Sequence, residues 1–134
     1  MSSLYLLDTN ILIATLKGRG KIRRRLESEQ LGAIRLSAIV LGELEFGAEK
    51  SAYGERNRAR LAALAQRLPL VGIDYNTTRH YGKIRVLLER QGTPIGANDT
   101  WIAAQALAID ATLVTDNERE FVRVPGLSLE NWLR

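Results

Sequence analysis

Short, unbroken apolar runs alternate along this chain with longer segments of helical spacing, and that alternation leaves few folds open. Leu4 to Leu7 is an apolar stretch closed by Asp8, and Asn10 to Leu16 continues at helical spacing, which predicts strand, sharp turn, helix. Ala33 to Leu36 repeats the pattern, Leu70 to Ile73 gives a third short strand and Ala111 to Thr115 a fourth. Between them, Ser37 is a candidate N-cap for a helix reaching Lys50, and Glu55 to Leu68 reads as an amphipathic helix stopped by Pro69. A long helix from about Asn76 to Gln91 follows Asp74, residues 92–96 form a loop, and another helix starts near Asn98. Leu127 to Trp132, after Pro125-Gly126, is expected as a fifth, edge strand. Short apolar strands between helices are covered on both faces, so the expectation is an α/β domain: a central, mostly parallel sheet of about five strands with helices on both sides. A chain of 134 residues with 46% hydrophobic content fills one core and not two, so residues 1–134 are expected to form a single domain.

Several chemistries are excluded outright. No cysteine is present, which removes disulfides and thiolate metal sites and suits a reducing cytoplasm. The single histidine, His80, removes paired-imidazole chemistry and reads as a helix-surface residue. Apolar runs are short and broken by charge, and the N-terminus lacks the pattern of a secretory signal, so a cytoplasmic protein without a membrane span is expected. The net charge of +4 is carried by 19 basic residues, all but four of them arginine, a side chain shaped for bidentate phosphate contacts. The charge admits a polyanionic partner or an arginine-rich solvated surface.

The acids are distributed where a parallel sheet keeps its chemistry, beyond the carboxyl ends of the strands. Asp8, Asp74 and Asp116 each follow a strand, and Glu43 and Asp99 lie in helices that begin just after such positions. On the helix after Ser37, Val40, Leu44 and Ala48 form the apolar stripe and Glu45 and Glu49 fall on the wet side. Glu43 instead flanks the stripe between Gly42 and Gly47, either as a functional acid at the rim of the core or as a surface glutamate snorkelling past small neighbours. Asp99 precedes Ile102, Ala103 and Ala106, which sets its carboxylate at the top of a buried stripe. A first-turn aspartate can equally serve the helix dipole, and Asp74 is read as a cap. Several carboxylates gathered without basic residues between them repel one another unless a cation neutralises them. Mg²⁺ fits best, or Mn²⁺ in its place, because hard cations take oxygen ligands. Such a site can hold a phosphodiester oxygen, activate water and stabilise a leaving alkoxide.

These residues, in this order, resemble the PIN-domain nucleases, and most closely the VapC toxins of bacterial toxin–antitoxin pairs. The resemblance spans nearly the whole chain: Leu-Leu-Asp-Thr-Asn at 6–10, Gly-Glu-Leu-Glu-Phe-Gly-Ala at 42–48, Gly-Thr-Pro-Ile-Gly-Ala-Asn-Asp-Thr-Trp-Ile-Ala-Ala at 92–104, Ala-Thr-Leu-Val-Thr-Asp-Asn-Glu-Arg-Glu-Phe at 111–121, and the closing Pro-Gly-Leu and Glu-Asn-Trp. It implies a PIN fold, Mg²⁺-dependent endoribonuclease activity on RNA, with transfer RNA the substrate suggested, and neutralisation by a cognate VapB-like antitoxin. Asp8, Glu43 and Asp99 match the first three acids of the family's metal site. The fourth is Glu120 if the pattern Thr-x-Asn-x-x-acid-Phe applies, with Asp116 as the alternative. Thr9, Asn10, Thr115 and Asn117 are implied to orient the acids. A homodimer is implied, and contact with operator DNA through the antitoxin rather than this chain.

Lys17, Arg19, Lys21, Arg23, Arg24 and Arg25 form a basic run after the first helix, near enough in sequence to Asp8 to track RNA phosphates, or else to form a solvated or antitoxin-facing surface. The tyrosines and Trp101 are expected to pack rather than stack on bases. Other readings make poorer matches. A receiver-like phosphoacceptor domain would need an adjoining acid pair after the first strand, and a haloacid-dehalogenase-type phosphatase a second aspartate where Asn10 stands. A non-catalytic RNA-binding PIN module would not need the full set of acids.

Overall fold

Strand β1 (Leu4–Leu7) lies at the centre of a five-stranded sheet in the computed structural model, flanked by β2 (Ile34–Ser37) and β4 (Ala111–Val114). The outer positions belong to β3 (Leu70–Val71), beside β2, and β5 (Leu129–Glu130), beside β4, and every pairing is parallel. The structure describes residues 3–29, 31–52 and 54–133, apart from the side chains of Arg23, Glu27 and Leu31.

Consecutive strand residues point to opposite faces, and Leu6 and Leu7 are both fully enclosed, so both faces of the sheet are covered. The outer strands are shorter than the apolar runs suggest. Leu70 and Ile73 are exposed, and the ladder stops at Val71 because the edge offers no burial to hold Gly72 and Ile73 in it. At the other edge Asn131 accepts the Leu133 N–H on its own side chain and turns the chain out of β5, while Trp132 folds back into the core.

The helices follow the sequence signals closely. Asp8 caps α1 (Thr9–Leu16), and Ser37 caps α3 (Ala38–Lys50) by accepting the Ile39 and Val40 N–H groups. The amphipathic α4 (Gly54–Arg67) ends before Pro69, and Asp74 with Thr77 forms a capping box on α5 (Tyr75–Arg90). Hydrogen bonds from Thr77 hold the Asp74 carboxyl below its ordinary range, which fits a cap. Helix α6 (Ala97–Ala108) is buried along Ile102, Ala103 and Ala106. Two helices lie outside the sequence expectation: the amphipathic α2 (Gly20–Ser28), tethered to the core by Ile22 and Leu26, and the single turn α7 (Glu118–Phe121), tethered by Phe121.

A buried polar joint locks the functional edge. Gln105 donates to the Val71 and Gly72 carbonyls at 3.0 and 3.1 Å and accepts from the Ser37 hydroxyl at 2.5 Å. One amide thereby ties α6, β2 and the short β3 together with every polar atom satisfied. Register completes the alignment: Leu7 lies opposite both Leu36 and Val114, so Asp8 and Thr115 emerge side by side at the carboxyl edge.

Candidate metal centre

Asp8 is 4% exposed, and its carboxylate accepts three hydrogen bonds. Oδ1 accepts the Thr9 N–H at 2.8 Å, and Oδ2 accepts the Thr115 hydroxyl at 2.7 Å and the Asn10 amide at 3.4 Å. Burial pushes its pKa above 3.8, the hydrogen bonds from Thr115, Thr9 and Asn10 oppose that rise, and the charge of Glu43 adds to it.

Glu43 reaches the same edge from α3. The Thr9 hydroxyl donates to its Oε2 at 2.9 Å and the Asn98 amide to its Oε1 at 3.3 Å. Its neighbours Glu45 and Glu49 are exposed and pair with Arg58, so of the three glutamates on this helix only Glu43 is turned to the acidic edge. The snorkelling alternative is thereby set aside.

Asp99 lies in the first turn of α6, and its pKa is pushed up to about 7. Burial is the largest cause, followed by a hydrogen bond to Glu120 and the charges of Asp8, Glu120 and Glu43. Glu120, on α7, moves the other way, because Asp99 donates to it and the Asn117 amide donates to Oε2 at 2.9 Å. Asp8, Glu43, Asp99 and Glu120 therefore feel one another at one locus.

Asp116 takes a different direction. It is exposed, its Oδ1 accepts from Asn131 at 3.0 Å, and its backbone N–H donates to Asn10 Oδ1 at 2.9 Å. Of the two candidates for the fourth acid, Glu120 is the one that meets Asp99. Thr115 and Asn117 act as orienting residues: Asn117 N–H donates to the Thr115 hydroxyl at 2.9 Å, and Thr115 in turn donates to Asp8. Asn10 bridges Asp8 and Asp116. Thr9 divides its work, giving its backbone N–H to Asp8 and its hydroxyl to Glu43, whereas the motif suggested service to the aspartate alone. Asn98 was missed, although its place beside Asp99 was the available signal.

Among the described residues no group of three or more acids is placed to hold a metal ion as it stands; Glu43 is hydrogen-bonded to Thr9 and Asn98. The donor chemistry nevertheless fits a hard divalent cation. Every donor is an oxygen, and none of the ion pairs among the described residues involves these four acids. Burial first, and the neighbouring acids after it, raise Asp99, while the charge of Arg123 helps to lower Glu120.

The basic run divides. Lys17 lines an apolar groove with Thr9, Glu43 and Arg60, while Arg19 is the exposed residue preceding α2. Lys21, Arg24 and Arg25 line a separate cleft, and the side chain of Arg23 lies outside the described residues. Tyr81 and Trp101 stack on each other at 3.8 Å, as packing residues. No helix among the described residues is long and apolar enough to cross a membrane.

Comparison with known proteins agrees with the geometry. The PIN-domain family profile matches residues 5–127. Ribonuclease VapC2 of Rickettsia felis is 41% identical over 131 residues, covering 96% of this chain and 98% of that protein. The tRNA(fMet)-specific endonuclease VapC of Shigella flexneri is 41% identical over 129 residues, covering 96% and 97% respectively. Among solved structures, DNA-bound VapBC from Salmonella typhimurium superposes with a TM-score of 0.91 at 40% identity, covering 97% of this chain and 98% of that one.

Proposed function

The chain belongs to the PIN-domain family and groups within it with the VapC ribonucleases, and from that premise we propose that it is a Mg²⁺-dependent endoribonuclease toxin. The observation that carries this reading is Asp99, whose carboxyl answers at once to Glu120, Asp8 and Glu43. Asp8, Glu43, Asp99 and Glu120 would hold the ion, and Mn²⁺ could substitute. When bound, the ion would neutralise the acids, take a phosphodiester oxygen and activate water for in-line displacement. The chain's own residues supply preorganisation. Asp8 is oriented by three hydrogen bonds and Glu43 by two, which restrict both carboxylates at the carboxyl edge of the sheet.

Transfer RNA is the proposed substrate, by similarity to the Shigella relative named for it, and inhibition of translation is the proposed consequence. A VapB-like antitoxin is the proposed partner, since similar chains are crystallised as VapBC complexes, some with DNA. A groove of about 450 Å³ between α1, α3 and α4 supports that reading: Ile13, Leu16, Leu44 and Leu61 line it with the exposed Phe46, and Glu43 stands at its end. An amphipathic antitoxin segment laid there would reach the acids. Homodimerisation, contact with operator DNA through the antitoxin and a cytoplasmic site of action belong to the same proposal.

The test is cleavage of transfer RNA by the purified chain, free of antitoxin, with Mg²⁺ and with chelator. Asp99→Asn is expected to lose at least about 100-fold in rate. If that variant cleaves as fast as its parent, or the parent cleaves equally well in chelator, the metal-nuclease reading is wrong.

A further inference from the structure

We propose that the cleft between α2 and the C-terminal segment is a phosphodiester subsite that grips RNA beside the acidic centre and reads its backbone rather than its bases; the proposal rests on the nuclease reading above. Lys21 and Arg24 are three residues apart on α2 and so share a face. Both are exposed, and neither takes part in an ion pair among the described residues. They line a cleft of about 330 Å³ whose other wall is Asn131 and Trp132.

Arg25 has a different task at the same place. Its guanidinium bridges Glu29 and Glu130 at 3.1 Å each and lies 4.9 Å from the centre of the Trp132 ring. That charge is compensated and anchors α2 to the C-terminal segment, leaving the charges of Lys21 and Arg24 for an anion. Trp132 is 4% exposed, donates its indole N–H to Glu130 at 2.9 Å and packs edge-on against Tyr5, so no ring face remains for a base. A cleft that presents cations without a stacking platform recognises phosphate and carries no sequence information.

Its position ties it to the centre. Asn131 donates to Asp116, the Asp116 N–H donates to Asn10, and Asn10 donates to Asp8, so three hydrogen bonds join the cleft wall to the first acid. Of the carboxylates around the cleft, Glu29 and Glu130 are paired with Arg25, and Asp116 and Glu118 accept from Asn131. A strand leaving the acids along this edge would meet Lys21 and Arg24 next.

The experiment measures binding of two unrelated single-stranded oligoribonucleotides across a salt series, in an Asp99→Asn background that leaves the RNA intact. Lys21→Glu/Arg24→Glu is expected to weaken both at least about 10-fold and to flatten the log–log salt slope by about 1.4, two phosphates at about 0.7 each. The matched reversal Arg79→Glu/Lys83→Glu, on the first turns of α5, is expected to change affinity less than about threefold at equal net charge. Lys21→Gln/Arg24→Gln, with melting curves alongside, serves if the reversal fails to fold. Unchanged slope and affinity, an equal loss in the matched control, or a loss confined to one sequence would overturn the subsite. So would a loss of antitoxin binding with RNA binding intact. Failure of the nuclease reading shows separately, as absence of RNA cleavage by the unsubstituted chain.

Discussion

Asp99 at the start of α6 and Glu120 on α7 are hydrogen-bonded carboxyls whose pKa values move apart, Asp99 up to about 7 and Glu120 below its ordinary 4.5. The unfolded Asp99 titrates near 3.8 and the folded one at about 7, so between those values the folded chain binds more protons than the unfolded chain. The stability linked to Asp99 is complete below the lower value and is lost as pH rises through the upper one. Asp8, also raised, acts in the same direction, while the lowered Glu120 acts oppositely, its contribution being lost as pH falls below its ordinary 4.5. The metal-free protein is expected to melt at a lower temperature at about pH 8 than at about pH 5.5, and Asp99→Asn to remove most of the difference. Mg²⁺ should restore more stability at the higher pH, where it displaces no proton. Thermal melts in chelator and in Mg²⁺ decide it, and a flat profile in the parent protein counts against the raised Asp99.

Glu120 and Asp116 can be told apart kinetically. Glu120→Gln removes a carboxylate that faces Asp99 and should lower RNA cleavage about 100-fold, whereas Asp116→Asn keeps the Asn10 contact through its backbone and should stay within about threefold. Equal losses would place Asp116 in the ion's coordination. Initial rates at saturating Mg²⁺ are the measurement.

Thr115 is buried, and its hydroxyl fixes Asp8. Thr115→Val preserves shape and removes that donor, so Mg²⁺ affinity is expected to fall about 10- to 100-fold with a smaller change in rate at saturating metal. Calorimetric titration separates the two effects. An unchanged affinity would mean that Asp8 holds its orientation without help.

Ser37 is buried, caps α3 and donates to Gln105. Ser37→Ala should lower unfolding free energy by about 1–3 kcal/mol, from the lost cap and an orphaned amide oxygen together. Chemical denaturation reads this directly. A loss under about 0.5 kcal/mol would show that Gln105 finds another partner.

Elements with strong internal patterns were legible before any coordinates. Leu4–Leu7 and Ala111–Val114 are apolar enough to read as strands, and Ser37 and Asp74 announce their helices by side-chain type. The outer strands shrank to two residues each because edge burial is a property of the assembled sheet, invisible in a local window. Helix α2 passed unnoticed because Ile22 and Leu26 are its only well-packed apolar residues in a run of charge. For the acids, the ordered motifs named Asp8, Glu43, Asp99 and Glu120, with Asp116 as the alternative, and the contact of Glu120 with Asp99 depends on how α7 turns after Thr115. The contacts of Asn98 with Glu43 and of Asn131 with Asp116 join segments far apart in sequence, and no spacing rule encodes them.

The central place of β1 carries a consequence for biosynthesis. Its partner β4 lies more than a hundred residues downstream, and Asp8 gains its Thr115 contact only through that pairing. A nascent chain can form α1 and α3 early, yet the strand at the middle of the sheet lacks one neighbour until Ala111–Val114 clears the ribosome. Prematurely terminated translation products would therefore be inert, and the cell would face the activity only once synthesis is nearly finished.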